Sequence, residues 1–122
     1  MKPTVQKTMR AAAIDHFGGV DALCVQTLPV PGVGADEVLI RIESAGVGVW
    51  DPFEIQGGFA EMLGIEPKFP YVPGCEGAGA VAAVGDDVGR FKEGDRVYAA
   101  NLLNPKGGFY AEYAAVASDH VS

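Results

Sequence analysis

The sequence predicts a mainly β domain: a small, partly open barrel of six or seven short strands with one or two helical turns. Three observations carry this. The chain has 17 glycines in 122 residues, and so many glycines favour tight turns and short extended segments over long helices. From Glu37 onward, Val38, Ile40 and Ile42 alternate with Glu37, Leu39, Arg41 and Glu43, which puts three β-branched residues on one face of an extended segment. Elsewhere, short apolar runs recur between turns rich in Gly, Pro and Asp, the spacing of a small antiparallel architecture.

Taken in order, residues 11–14 read as a strand, Phe17-Gly18-Gly19 as a turn, and residues 22–28 as a second strand that stops at Pro29-Val30-Pro31-Gly32. That pair predicts a hairpin-like opening. Residues 37–42 form the clearest half-buried strand, ending in Ala45-Gly46-Val47-Gly48. Asp51 and Pro52 then supply N-cap and first-turn chemistry for a short helix across residues 53–55, which Gly57-Gly58 would end. Residues 57–73 make a long connection with Pro67, Pro70 and Pro73 and a helical turn at 59–63. Connections of that length are functional or mobile. Residues 76–84 alternate Gly and Ala with Val, which suits a strand approached closely by another backbone. Turns follow at Asp86-Asp87 and at residues 91–95, then a strand at 96–100, a loop at 101–108 and a last strand at 109–116.

Composition narrows the function. A chain of 122 residues suits one domain with one core. A formal charge of −7, with no cluster of Lys and Arg, argues against nucleic acid and against anionic membranes, both of which are held by clustered positive charge. Two cysteines, Cys24 and Cys75, form neither a disulfide framework nor a Cys-x-x-Cys motif, so a reducing, cytoplasmic setting is the default reading. The N-terminus lacks the apolar core of a signal peptide, and no apolar run reaches membrane-spanning length. Residues 1–8 read as a flexible leader, and residues 9–122 as the folded domain.

Six motifs stand in a fixed order: Met9-Arg10-Ala11; Glu37-Val38-Leu39-Ile40-Arg41-Ile42; Ala45-Gly46-Val47 with Asp51; Pro73-Gly74-Cys75-Glu76-Gly77-Ala78-Gly79; Gly94-Asp95-Arg96-Val97; and Ala111-Glu112-Tyr113. Together they resemble the N-terminal GroES-like domain of the medium-chain dehydrogenase/reductase superfamily, above all its zinc-free quinone oxidoreductase branch. The resemblance implies a GroES-like barrel that closes over a nicotinamide, with a small carbonyl or quinone substrate in the cleft. It also implies NADPH or NADH bound mainly by a nucleotide-binding domain that is absent from this sequence, which stops at Ser122. The chain is then expected to be a fragment of an NAD(P)H-dependent quinone or enone oxidoreductase, or of a zinc-free alcohol dehydrogenase-like reductase, without turnover of its own. The alternative is a free-standing GroES-like binding or oligomerisation module. Such a module would expose an apolar patch able to drive a homodimer.

In zinc-dependent members of that superfamily, a Cys and a His hold catalytic zinc at positions matched here by Gly48 and Cys75. Glycine cannot coordinate, and one thiolate with one carboxylate falls short of three protein ligands, so no metal is expected. Zinc-free members often carry Asn and Tyr where this chain has Gly48 and Phe53. The resemblance therefore implies a substrate- and cofactor-facing set of Gly48, Trp50, Asp51, Phe53, Cys75 and Glu76 without an assigned catalytic residue, Trp50 and Phe53 supplying flat apolar walls. Each residue also has a plainer reading. Cys75 is a nucleophile or a small packed thiol. Asp51 is a helix cap or a catalytic group, and Glu76 orients substrate or accepts backbone N–H groups. Tyr71, Tyr98, Tyr110 and Tyr113 are proton donors or half-buried packing, and His16 and His120 are solvent-exposed. Gly74, Gly77 and Gly79 do not form a dinucleotide fingerprint, because that run enters a strand instead of opening a helix.

Overall fold

The computed structural model describes residues 5–122. Its first sheet is a hairpin. Strand β1 (Thr8–Ala13) pairs antiparallel with β2 (Cys24–Pro29), from Thr8 opposite Pro29 to Ala13 opposite Cys24. The second sheet contains β3 (Glu37–Ala45), β4 (Glu76–Val84), β5 (Arg96–Ala100) and β6 (Tyr113–Ala117) in the order β5-β4-β3-β6, each neighbour antiparallel. Single bridges from Ala11 to Ala111 and from Ile14 to Tyr71 bring the hairpin against the larger sheet, which leaves a partly open barrel. Mainly β architecture is therefore as the sequence predicts.

Strand β3, expected to be half-buried, is buried on both faces over residues 38–40 and largely exposed from Arg41 onward. Val38 and Ile40 pack with Val81, Val97, Phe109 and Val116 in one cluster. Leu39, pointing the other way, packs with Met9, Val72 and Tyr113 in another. Met9 of the hairpin helps to cover Leu39, whereas Arg41 and Glu43 stay exposed. The close approach expected of β4 is found at Gly79, where a methyl group would lie 1.9 Å from the Arg41 carbonyl oxygen of β3. The β3–β4 register shifts on either side of this stretch, between Leu39 and Ile40 and between Ile42 and Ser44, and such bulges bend a sheet toward closure.

Three boundaries differ from the sequence reading. Residue 22 belongs to a single 3-10 turn, Val20–Ala22, because its N–H closes onto the Gly19 carbonyl at 2.9 Å; the strand starts at Cys24. The last strand starts at Tyr113, not at 109. Phe109 and Tyr110 give their N–H groups to the carbonyls of Gly74 (3.2 Å) and Pro73 (3.0 Å), so that stretch is tied to the Pro-Gly segment and not to β3. Finally, Thr8 already pairs in β1 and the Lys7 carbonyl accepts the Val30 N–H at 3.0 Å. Residues 1–4 of the expected leader lie outside the described residues.

Between β3 and β4 lie two short helices, α1 (Asp51–Ile55) and α2 (Gly58–Leu63). Gly57, at φ 90°, joins them in a conformation that favours glycine. Ile55, Phe59 and Ala60 bury against Ile14, Tyr71 and Leu103, and this third cluster seats the helix pair on the barrel. No helix among the described residues is long and apolar enough to cross a membrane.

Candidate functional site

The loop after β3 turns sharply at Gly48. The Asp51 N–H reaches back to the Gly48 carbonyl at 3.2 Å, and the Gly48 N–H donates to Asp51 Oδ2 at 3.1 Å. Asp51 is not the N-cap; Trp50 precedes the helix, and Asp51 is its first residue. The carboxylate is buried and also accepts the Tyr110 hydroxyl. Three residues on, and hence on the same side of α1, Glu54 is only 1% exposed. It accepts the Tyr71 hydroxyl at 2.6 Å, the Gly74 N–H at 2.9 Å and the Cys75 thiol at 3.8 Å.

Ligand atoms of Asp51, Glu54 and Cys75 all lie within 4.8 Å of one another. Two carboxylates packed this closely are held by five donors: the Gly48 and Gly74 N–H groups, the Tyr110 and Tyr71 hydroxyls and the Cys75 thiol. The thiol beside them is pushed up to about 12, first by burial and then by the negative charges of Glu54 and Asp51. Cys75 is therefore protonated at neutral pH, which favours the packed thiol over the nucleophile. Burial, followed by the neighbouring carboxylates, likewise raises both phenols, Tyr71 against Glu54 and Tyr110 against Asp51, so both keep their protons.

In front of the Asp51–Tyr110 pair lies a cleft of about 570 Å³, lined by Ala12, Val20, Leu23, Val47, Gly48, Asp51, Pro52, Ile55 and Tyr110. Its size lies within the ~300–1,000 Å³ of small-molecule sites, and its wall is apolar apart from one polar point. A wider groove of about 710 Å³ runs between residues 28–32, 65–72 and 103–107, and of the substrate- and cofactor-facing set expected from sequence it contains none.

The structure brings Gly48 and Asp51 to the cleft and keeps the others off its wall. Trp50 is 62% exposed, set edge-on to Phe53 at 6.0 Å and tilted against Phe59 at 6.3 Å. Phe53 in turn packs edge-on to Phe59 at 4.9 Å. Cys75 lies behind the cleft against Glu54. Glu76 turns to the opposite side, because successive residues of an extended segment face opposite ways; a methyl group at Gly46 would come within 2.4 Å of its carboxylate. Glu54 is the residue that sequence reasoning missed. A signal existed: acids three apart across Asp51-Pro52-Phe53-Glu54 share one helix face. Nothing in the sequence pointed to their tyrosine partners.

Measured against a zinc site, the residues fit poorly. Gly48 offers no donor atom, Glu76 faces away, and both buried carboxylates beside Cys75 are already engaged by protein donors.

Fold and cleft define a GroES-like domain, a β-barrel that presents one apolar pocket beside a helical insertion. The family model "Alcohol dehydrogenase GroES-like domain" matches residues 34–122, and the chain belongs to that family, within the medium-chain dehydrogenase/reductases. It is 38% identical over 118 residues to a quinone oxidoreductase of Lama guanicoe, covering 96% of this chain and 33% of the relative. It is 40% identical over 121 residues to that of Sus scrofa, covering 97% and 34%. Among solved structures, the quinone oxidoreductase of Coxiella burnetii superposes with a TM-score of 0.81 at 25% identity, over 95% of this chain and 37% of that one. The chain thus spans about a third of the length of the curated relatives it matches.

Proposed function

We propose that residues 9–122 are the substrate-side domain of an NAD(P)H-dependent quinone or enone oxidoreductase that works without zinc. A second domain holds the nucleotide, and a small quinone or carbonyl compound occupies the Asp51–Tyr110 cleft. The observation that carries this reading is the cleft itself: of small-molecule size, walled by Val47, Pro52 and Ile55, with its polar groups gathered at one point. The relatives' names and the fraction of their length that this chain spans support it.

When bound, the nicotinamide supplies hydride chemistry. The chain's own residues position and enclose. Val47, Pro52 and Ile55 exclude water from the ligand. Glu54 clamps Tyr71 and the Gly74 backbone, fixing the Pro-Gly segment beneath Asp51. Asp51 fixes the Gly48 turn and the Tyr110 hydroxyl, so the polar point of the cleft is set before a ligand arrives. Titrating NADPH and a small quinone into the purified chain, with metal assayed on the same sample, tests the division of labour. The expected result is no turnover, no micromolar cofactor binding and no stoichiometric zinc. Turnover or tight cofactor binding by this chain contradicts the division, and stoichiometric zinc contradicts the zinc-free assignment.

One observation favours a second reading, a self-associating module. Val47 (83% exposed), Val49 (87%) and Trp50 (62%) are exposed apolar side chains on one loop. Sedimentation velocity over a concentration series separates the two, since a module dimerises through that loop and Val49→Asp abolishes the dimer.

A further inference from the structure

We propose that Tyr110 sets the ligand specificity of the cleft: its phenolic oxygen acts as a hydrogen-bond acceptor and selects small apolar molecules that carry an O–H donor. A phenol, hydroquinone or alcohol is favoured over a molecule offering only a carbonyl or ether oxygen. The proposal rests on the preceding reading in one respect, that this cleft is the ligand site.

Each polar side chain on the cleft wall, Asp51 and Tyr110, is an acceptor toward the ligand. Between the two side chains, the Tyr110 hydroxyl donates to Asp51 Oδ2. Tyr110's proton is therefore committed, and lone pairs remain on its oxygen. The Gly48 N–H, the backbone donor nearest the opening, is committed to the same carboxylate at 3.1 Å. Glu54, behind Asp51, also accepts, from Tyr71 and Gly74. The other side chains on the wall, among them Val20, Leu23, Val47 and Ile55, are apolar. A ligand carbonyl entering here meets side-chain acceptors and no side-chain donor, so it gains no side-chain hydrogen bond in exchange for its hydration. A ligand hydroxyl meets the Tyr110 oxygen and donates to it, and Asp51 polarises that acceptor in a chained hydrogen bond. Within a quinone/hydroquinone or ketone/alcohol pair, the cleft therefore holds the reduced member more tightly.

One net hydrogen bond is worth about tenfold in affinity. The test is a titration of the isotopically labelled chain, followed by methyl NMR, with p-cresol, 4-methylanisole and p-tolualdehyde. These share one apolar body and differ in the oxygen they offer. The expected result is that p-cresol shifts the methyl signals of Val47 and Ile55 and binds about tenfold more tightly than the ether and the aldehyde. Tyr110→Phe should bring the three together. If that variant fails to fold, the comparison on the unaltered chain still decides. Equal binding of all three within the cleft, or a preference that survives in a folded Tyr110→Phe protein, overturns this proposal and leaves the reading of the cleft intact. Shifts confined to other surfaces, or no saturable shift with any of the three, overturn both.

Discussion

Replacing Glu54 should damage this domain more than any other single change to a charged residue. Its carboxylate, 1% exposed, holds the Tyr71 hydroxyl at 2.6 Å and the Gly74 N–H at 2.9 Å, and both donors are themselves buried. Glu54→Leu keeps an apolar body of similar size but strands both donors. Each buried donor left unsatisfied costs about 1–3 kcal/mol, so the loss is about 2–6 kcal/mol. A domain is stable by only about 5–15 kcal/mol, so the variant sits near the edge of folding. Glu54→Gln keeps the shape and one acceptor oxygen but turns an NH₂ toward the other donor, and should cost about 1–3 kcal/mol. Tyr71→Phe deletes one of the stranded donors, so in the double variant with Glu54→Leu the two losses add to less than their sum, by about 0.5–3 kcal/mol. Urea unfolding followed by far-ultraviolet circular dichroism measures the unaltered chain, the three single variants and the double variant. The reasoning is refuted if both Glu54 variants fall within about 0.5 kcal/mol of the unaltered chain, the range of an ordinary surface substitution.

Four further outcomes follow from the same structure. Gly79→Ala drives a methyl group to 1.9 Å from the Arg41 carbonyl oxygen and should cost about 3 kcal/mol or more as β3 and β4 separate, read as a lowered urea midpoint. Iodoacetamide at neutral pH should alkylate exposed Cys24 first and Cys75 at least about tenfold more slowly, by peptide mapping. Because the folded thiol of Cys75 titrates above its ordinary 9.0, its contribution to stability is complete below that pH and is lost as pH rises toward about 12; Cys75→Ala should flatten that alkaline decline. Glu37 behaves in the opposite sense. Burial opposes its charge, but Lys106 at 2.6 Å and the Gly34 N–H outweigh it and lower the carboxyl below 4.5. Its contribution is therefore present above 4.5 and lost as pH falls through the lowered value, and Glu37→Gln should flatten the acid limb of a stability–pH curve.

The strands were legible because period-two alternation and glycine punctuation are local signals, and β3, β4 and β5 were found at or near their observed ends. What stayed hidden depended on distant partners. Leu39 seemed to lie on a solvent face because nothing nearby in sequence announces that Met9 and Tyr113 cover it. Residues 109–112 have strand-like composition, yet Phe109 and Tyr110 spend their N–H groups on Gly74 and Pro73. At the site, motif order pointed to Gly48 and Asp51. The network around them joins Glu54 to Tyr71 across 17 positions, Glu54 to Gly74 across 20, and Asp51 to Tyr110 across 59, separations at which no spacing rule operates. Cys75 and Glu76 are neighbours in the Pro-Gly motif, but extended backbone sends their side chains to opposite faces.

The central claim, that the Asp51–Tyr110 cleft receives the substrate of a hydride transfer, is tested most directly in a chimera. Residues 9–122 would replace the matching segment of a full-length quinone oxidoreductase relative, with and without Gly48→Trp. A Cβ at Gly48, on the cleft wall, would meet no atom within 4 Å, so the position has room to begin a larger side chain that obstructs the cleft. The expected result is quinone-dependent NADPH oxidation by the chimera, with Gly48→Trp raising KM for the quinone by about tenfold or more while NADPH affinity is unchanged. A folded chimera that binds NADPH but reduces no quinone, or a KM indifferent to the tryptophan, would contradict it.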